Sequence, residues 1–217
     1  MNERMPDQQI ARGRRVTVSA IAAWFVAACI CGILGIIDSP GHPPIALGGF
    51  IGLPVLGFVA AYRISPSIRA FAASLSFPLL VGSHLWRFVG LGFVIAWLQG
   101  ALPAGFAIPE GFGDIIAALG ALLLLPTLRK GRVPRGLLLA WNTWGFLDLI
   151  SAIVMGVLYS NSTLGILSRG TATTRLMVTF PVSLIPTFFV PLFLLLHALT
   201  FKRLARGVPT SGTKTAP

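Results

Sequence analysis

The sequence predicts an all-α integral membrane protein, a bundle of six transmembrane helices. Hydrophobic residues make up 55% of the 217 residues, whereas charged residues make up only 11%. The mean hydropathy of +0.83 is far above that of an ordinary soluble domain of this length. Six apolar stretches are separated by charged residues, Gly and Pro, and the basic residues fall in alternate connections between them. Together these observations define the predicted fold class.

Each apolar stretch is close to the ~20 residues that a helix needs to cross a hydrocarbon core of ~30 Å. The stretches are residues 16–37, 45–62, 79–102, 112–128, 137–159 and 176–201. The second and fourth are the shortest, and a segment shorter than the core can also be re-entrant. We therefore expect a transmembrane domain over residues 16–201, with basic tails at residues 1–15 and 202–217.

The basic residues predict the orientation, because Lys and Arg collect in the cytoplasmic connections of membrane proteins. The connections on the other side contain only Arg169 and Arg175. Both tails, the second connection and the fourth connection contain Arg4, Arg12, Arg14, Arg15, Arg63, Arg69, Arg129, Lys130, Arg132, Arg135, Lys202, Arg203, Arg206 and Lys214. Both termini are therefore expected in the cytoplasm, where these side chains would meet anionic lipid headgroups.

The net charge of +11 is explained by this pattern and does not indicate nucleic-acid binding. The sequence has no helix-turn-helix pattern, zinc-finger spacing or basic stripe with interleaved aromatic residues. It also has no recognisable phosphate-binding, serine-hydrolase or zinc-site motif, which disfavours a familiar soluble type of enzyme. Cys29 and Cys31 lie one residue apart within an apolar stretch, so they do not form a disulfide framework.

Three charged residues, Arg87, Asp114 and Asp148, stand inside apolar stretches. Such a residue costs roughly 3 kcal/mol at the centre of a membrane helix, so it normally has a partner or faces a water-filled cavity. A rise of ~1.5 Å per residue places all three near the middle of the membrane. A guanidinium can bind two carboxylates at once, which makes Arg87 the natural centre of the cluster.

The cluster predicts a site that binds or transports a small solute or cation. One Arg does not neutralise two Asp, and carboxylates that share a dry site can hold a proton. Asn142 and Gln99 extend the predicted polar path along the fifth and third stretches. The alternative is a non-catalytic subunit or scaffold in which the charges fix the helix arrangement for a partner or an oligomer. Both interpretations remain open at this stage, and the sequence names no cofactor.

Histidines offer a further alternative, because His84 and His197 fall within about two turns of the same membrane face. Two opposed imidazoles at one depth can ligate a haem. The sequence has no CxxCH attachment motif to support this interpretation.

The residues Gly111-Phe112-Gly113-Asp114 resemble the GxGD motif of intramembrane aspartyl proteases, in which two membrane aspartates activate water. Asp148 would be the second aspartate. The chain departs from that family, which places its other Asp before the motif and a Pro-Ala-Leu element after it. Arg87 would also oppose the proton sharing that such a dyad needs.

Proline positions lead to two further expectations about helix geometry. Pro109 is expected at the first helical position of the fourth stretch, with Glu110 as a charge beside the helix start. Pro181, Pro186 and Pro191 are expected to kink a helix that covers the whole sixth stretch.

A family resemblance rests on residues spread over the last three apolar stretches. These residues are Gly113-Asp114, Trp141-Asn142 with Gly145 and Asp148-Leu149, and the stretch 184–192 followed by His197. In them the chain resembles a family of small bacterial inner-membrane proteins without a known activity. The resemblance implies an inner-membrane location in bacteria and implies no reaction, cofactor or catalytic residue.

Overall fold

The computed structural model describes residues 4–168 and 172–206, and these residues contain helices and no strand. Arg169 and Lys214, which entered the orientation argument, lie outside the described residues. The elements in order are α1 (Arg4–Ile33), α2 (Ile45–Ile64), α3 (Pro66–Ser74), α4 (Phe77–Gly82), a 3₁₀ segment (Ser83–Val89), α5 (Gly90–Leu98), α6 (Ala104–Arg129), α7 (Arg135–Leu158), a 3₁₀ turn (Thr174–Val178), a π-helical turn (Ile185–Phe189) and α8 (Val190–Ala205).

Six helical stretches are long and apolar enough to cross a membrane. They are Asp7–Ile33, Ile45–Ile64, Phe77–Leu98, Ala104–Arg129, Arg135–Leu158 and Ile185–Ala205. Large apolar side chains cover their outer faces, with Leu53 72% exposed and Leu123 77% exposed. Such a surface suits hydrocarbon better than water. The all-helical fold with six long apolar helices therefore indicates a multi-pass membrane protein.

The fourth predicted stretch is longer than expected, because α6 begins at Ala104 and not at residue 112. Pro109 lies inside α6, so its expected place at the first helical position is wrong. Glu110 is only 2% exposed and is not a charge at the helix start. The reason is packing: the first turn of α6 buries Phe106 and Ala107 against α5, and proline is tolerated within membrane helices.

The sixth predicted stretch is shorter than expected, because its long helix begins only at Ile185. Thr174–Val178 forms a separate 3₁₀ turn, and Pro181 lies in the irregular segment that follows. Three prolines each remove a backbone donor from this region, which breaks the expected single kinked helix into a turn, a π-helical turn and α8. The sequence pattern also missed α3, whose start is capped by Ser65.

The helices alternate in direction. One end of the bundle contains the start of α1, the connections between α2 and α4, the α6–α7 connection and the end of α8. We call this the basic end. There, α3 packs on the first half of α1, where Gly13 leaves room for Ser67. The Lys202 ammonium lies 4.0 Å from the centroid of the Tyr62 ring, which joins α8 to α2. The connections predicted to be basic therefore lie together at one end of the bundle, and the nonbasic connections lie at the other end.

The opposite end is held together by polar contacts between loops. Arg175 Nε donates to Asp38 Oδ2 at 3.0 Å, and Asn161 Nδ2 donates to Asp38 Oδ1 at 3.3 Å. These contacts join the α1–α2 connection to the segment that follows α7.

Trp24 on α1 contacts the π-helical turn. Its indole Nε1 donates to the Thr187 carbonyl at 3.0 Å, and its ring packs 4.8 Å from the Phe188 ring. In a regular α-helix the donor to this carbonyl would be the N–H of residue 191, but Pro191 has none. Trp24 therefore satisfies a carbonyl that proline leaves without its usual partner.

We expect Trp24→Phe to lower the free energy of unfolding by about 1–3 kcal/mol, because the buried Thr187 carbonyl loses its donor. Thermal and SDS unfolding in detergent micelles measure the change. Trp144→Phe is the matched control, since Trp144 is 48% exposed on α7 and should be nearly neutral. Equal effects of the two substitutions would contradict this account.

Candidate functional site: a buried arginine and carboxylate cluster

The 3₁₀ segment aligns the residues that enter the site. A 3₁₀ helix has 3.0 residues per turn, so side chains three apart lie on one line. His84, Arg87 and Gly90 have this spacing, and all three are buried. Gly90 is in close contact with α6, where an added Cβ would lie 2.5 Å from the Gly111 carbonyl oxygen. This close approach brings Arg87 next to α6.

Arg87 joins three elements through its guanidinium, which is 1% exposed. Nε donates to Asp114 Oδ1 on α6 at 2.6 Å, and Nη2 donates to Asp148 Oδ2 on α7. Nη1 donates to the Gly145 carbonyl oxygen at 3.0 Å. The structure thus brings together the three charged residues singled out in the sequence. A guanidinium has five N–H groups, so two remain for a ligand or water.

Two glycines make this geometry possible. An added Cβ on Gly113 would overlap Asp148 Oδ1. One on Gly145 would lie 2.7 Å from His197 Cε1 and 3.1 Å from Arg87 Nη1. The absence of a side chain at these positions lets α6 and α7 approach while the charged groups fit between them.

A third carboxyl group, Glu110, lies one helical turn from Asp114 on α6. Ser151 Oγ, one turn from Asp148 on α7, donates to Glu110 Oε1 at 2.8 Å, while Oε2 is buried without a hydrogen-bond partner. Sequence reasoning missed Glu110 as a site residue. The signal was its i,i+4 spacing to Asp114, which places both on one helix face. With Glu110, one cation faces three carboxyl groups.

On the other side of Arg87, toward the basic end, lies a histidine pair. Asn142 Nδ2 donates to the His197 carbonyl at 3.1 Å, and its Oδ1 lies 2.8 Å from His197 Nδ1. The His84 and His197 ring centroids are 4.1 Å apart. Both nitrogens of His84 and Nε2 of His197 are buried without hydrogen-bond partners. The structure thus places Asn142 together with the two histidines on this side of Arg87.

The polar groups form a column through the cluster. Along α7, Asn142, Gly145, Asp148 and Ser151 follow at intervals of three residues, so they turn progressively around the helix: Asn142 is buried, Asp148 is half-buried and Ser151 is exposed. The column runs from the Glu110 carboxyl through the guanidinium to the histidines. Gln99 does not belong to it, because this residue is exposed at the end of α5, about three turns beyond Arg87.

A cavity of about 70 Å³ reaches the cluster from the opposite end. Arg87 and Asp114 line its inner part, while Asn161, Ser162 and Thr174 are among the polar residues that line its outer part. One water needs ~10–15 Å³ on this scale, so a cavity of about 70 Å³ holds about five to seven waters. The arrangement can admit water or a small ion to the charged groups.

The histidines do not have the geometry that a bis-histidine haem requires. Their rings lie against each other with 34° between planes, and no porphyrin fits between rings at this separation. Within residues 4–168 and 172–206, no three His, Cys, Asp or Glu side chains are grouped so that they could hold a metal ion.

The two aspartates also lack the arrangement of a protease dyad. Each carboxylate binds a different nitrogen of Arg87, so the guanidinium separates the two groups. The guanidinium between them opposes the sharing of one proton directly between the two carboxyl groups.

The fold and the cluster define a class: helical multi-pass membrane proteins with a buried arginine and carboxylate site. Residues 44–205 match the model of a domain of unknown function, DUF8737, and the chain belongs to this family. The match begins at α2 and contains every residue of the cluster. No curated protein and no solved structure matches the chain. An uncharacterised family is thus confirmed.

We expect Gly113→Ala to lower the free energy of unfolding by about 1–3 kcal/mol, because the new methyl group overlaps the Asp148 carboxylate. Gly92→Ala is the control: an added Cβ there meets nothing within 4 Å. It should be neutral or stabilise by ~0.5–1 kcal/mol through helix propensity. Unfolding by SDS in micelles compares the two; a Gly113→Ala protein as stable as Gly92→Ala would show that the close approach is not required.

Proposed function

We propose that the protein lies in the bacterial inner membrane with both termini in the cytoplasm, and binds or transports a small solute or cation with proton coupling. The site is the Arg87, Asp114 and Asp148 cluster. In this proposal Arg87 is the fixed counter-charge and the aspartates carry the proton or contact the ligand.

The observation that carries the proposal is the mismatch of charge in the cluster. One buried guanidinium faces Asp114, Asp148 and the neighbouring Glu110, which is 2% exposed. An isolated buried carboxylate is costly, so the excess negative charge is neutralised by bound protons or a cation. A proton-coupled carrier needs a group that takes up and releases such a proton or cation.

Access to the cluster supports the same proposal. The cavity connects Arg87 and Asp114 with polar residues at the opposite end, while Asn142, His197 and His84 continue toward the basic end. Charged and polar groups of this kind mark ion pathways and proton relays in membrane proteins. The small cavity volume favours a proton or a small ion over a large solute.

The charge distribution supports the proposed orientation. Exposed Arg14, Arg15 and Arg63 lie at the basic end with the end of α8, as expected for a cytoplasmic face. The opposite end has Arg175, which is paired with Asp38.

Asp148→Asn should reduce flux at least tenfold, because the amide keeps the shape of the side chain and cannot carry a proton. The protein is reconstituted into liposomes with an internal pH dye, and proton entry is driven by a potassium diffusion potential. Parallel measurements with sodium and potassium gradients identify cation flux.

Asp7→Asn is the control, since Asp7 is exposed in the first turn of α1, outside the cluster and the lining of its cavity, and should leave flux unchanged. Equal flux in wild-type, Asp148→Asn and empty liposomes would contradict the proposal.

A second candidate, a scaffold or membrane subunit, is favoured by α2. This helix has no buried residue, and added Cβ atoms on Gly48 and Gly52 meet nothing. A small-residue face of this kind lets another helix approach closely. Under this alternative Arg87→Ala prevents assembly with the partner or with further copies of the chain. The mass of the gently purified complex measures this loss. Normal assembly of Arg87→Ala with loss of flux would instead exclude a purely structural role.

A further inference from the structure

A second cavity, separate from the one at the cluster, lies between α1 and α2 toward the basic end. It has a volume of about 640 Å³ and is bordered also by α3, α4 and α8. Its walls are almost entirely apolar, with Ala20 and Trp24 on α1, Gly57 and Ala61 on α2, and Leu196 on α8 among them. This space is far larger than the cavity that reaches Arg87.

The cavity exists because α1 and α2 do not pack closely on each other. In the described part of the chain, α1 packs mainly on α3 and on the π-helical turn, whereas α2 packs on α8, on that turn and on α3. Gly57 widens the gap, since an added Cβ there would meet nothing within 4 Å.

The depth of the cavity fits one leaflet of a bilayer. On α1 it extends from Val16 to Trp24, which is about 12 Å at a rise of ~1.5 Å per residue. Half of a ~30 Å hydrocarbon core is close to this depth. At its inner end Trp24 packs on Phe188 and binds the Thr187 carbonyl, so the space ends near mid-membrane. A spanning helix would need the full depth, whereas an acyl chain of one leaflet does not.

Three cations lie near the basic end of this cavity. Arg15 directly precedes the lining residue Val16, and Arg63 follows the lining residue Ala61 by two positions; both are exposed. Lys202 lies over Tyr62, next to Ala61. Among the described residues, ion pairs with carboxylates involve only Arg87 and Arg175, so these three cations have no acidic partner. A phosphate headgroup in this position meets complementary charge.

We propose that this cavity binds the acyl chain of one anionic phospholipid from the leaflet at the basic end. Arg15, Arg63 and Lys202 hold its phosphate, while the apolar walls of α1, α2 and α8 enclose the chain. The lipid fills the gap between α1 and α2 as a resident component. This site does not depend on the function proposed for the Arg87 cluster.

The test is native mass spectrometry of the delipidated full-length protein, incubated with equimolar phosphatidylglycerol and phosphatidylcholine that carry identical acyl chains. We expect one phosphatidylglycerol to stay bound under conditions that remove other lipids, with at least tenfold preference over phosphatidylcholine. Gly57→Phe places a ring in the cavity and should reduce the retained lipid at least tenfold. Gly48→Phe, on the same helix and outside the cavity lining, should leave retention unchanged.

Ala20→Phe fills the same space from α1 and serves as a second variant, with size-exclusion profiles showing that each variant is folded. Arg15→Gln combined with Arg63→Gln should bring phosphatidylglycerol retention down to that of phosphatidylcholine. Undiminished retention in folded Gly57→Phe or Ala20→Phe overturns the cavity as the binding site. Equal retention of the two lipids by the wild-type protein overturns the selection for anionic lipid.

Discussion

The guanidinium of Arg87 is the interaction on which the arrangement of the bundle core depends. It reaches α6 through Asp114, and α7 through Asp148 and the Gly145 carbonyl. Each contact requires another feature: the 3₁₀ segment directs Arg87 inward, Gly113 makes room for one carboxylate, and Gly145 exposes its carbonyl. Removing one partner of a buried ion pair typically costs 3–5 kcal/mol, so these elements are energetically coupled through one side chain.

The same interaction links structure to the proposed function. Apolar side chains of similar volume often replace a buried ion pair without loss of stability, so packing alone does not require these charges. The cluster is unbalanced, with more carboxyl groups than cations, and a cavity reaches it from one end. We therefore propose that this unbalanced buried site, which small species can enter, gains and loses charge as it binds a proton and a solute or cation.

Much of the architecture could be predicted from composition and spacing. The six spans follow from stretches near the thickness of a bilayer, and the convergence of Arg87, Asp114 and Asp148 follows from their depth along helices of known rise. Depth, however, gives only the position of a residue along the membrane normal. The bounds of the helices and the contacts between them depend on tertiary packing. Glu110 looked like a charge at a helix start because Pro109 precedes it, and only packing against α5 and α7 extends α6 around it.

Other features depend on contacts distant in sequence. Nothing local shows that the rings of His84 and His197 lie against each other, or that Trp24 donates to a carbonyl freed by Pro191. The 3₁₀ segment could not be predicted from the sequence, because its apolar residues fit an α-helical span equally well. Gln99 was expected to extend the polar path, and the structure places it exposed at the end of α5, away from Arg87.

We propose that the cluster holds an exchangeable proton, which infrared spectroscopy of the reconstituted protein can detect. In buffer whose only cation is N-methylglucamine, we expect the carbonyl stretch of a protonated carboxylic acid that shifts on transfer to D₂O and changes in Asp148→Asn. A wild-type spectrum without a protonated carboxyl band, or with a band that Asp148→Asn leaves unchanged, would contradict the claim.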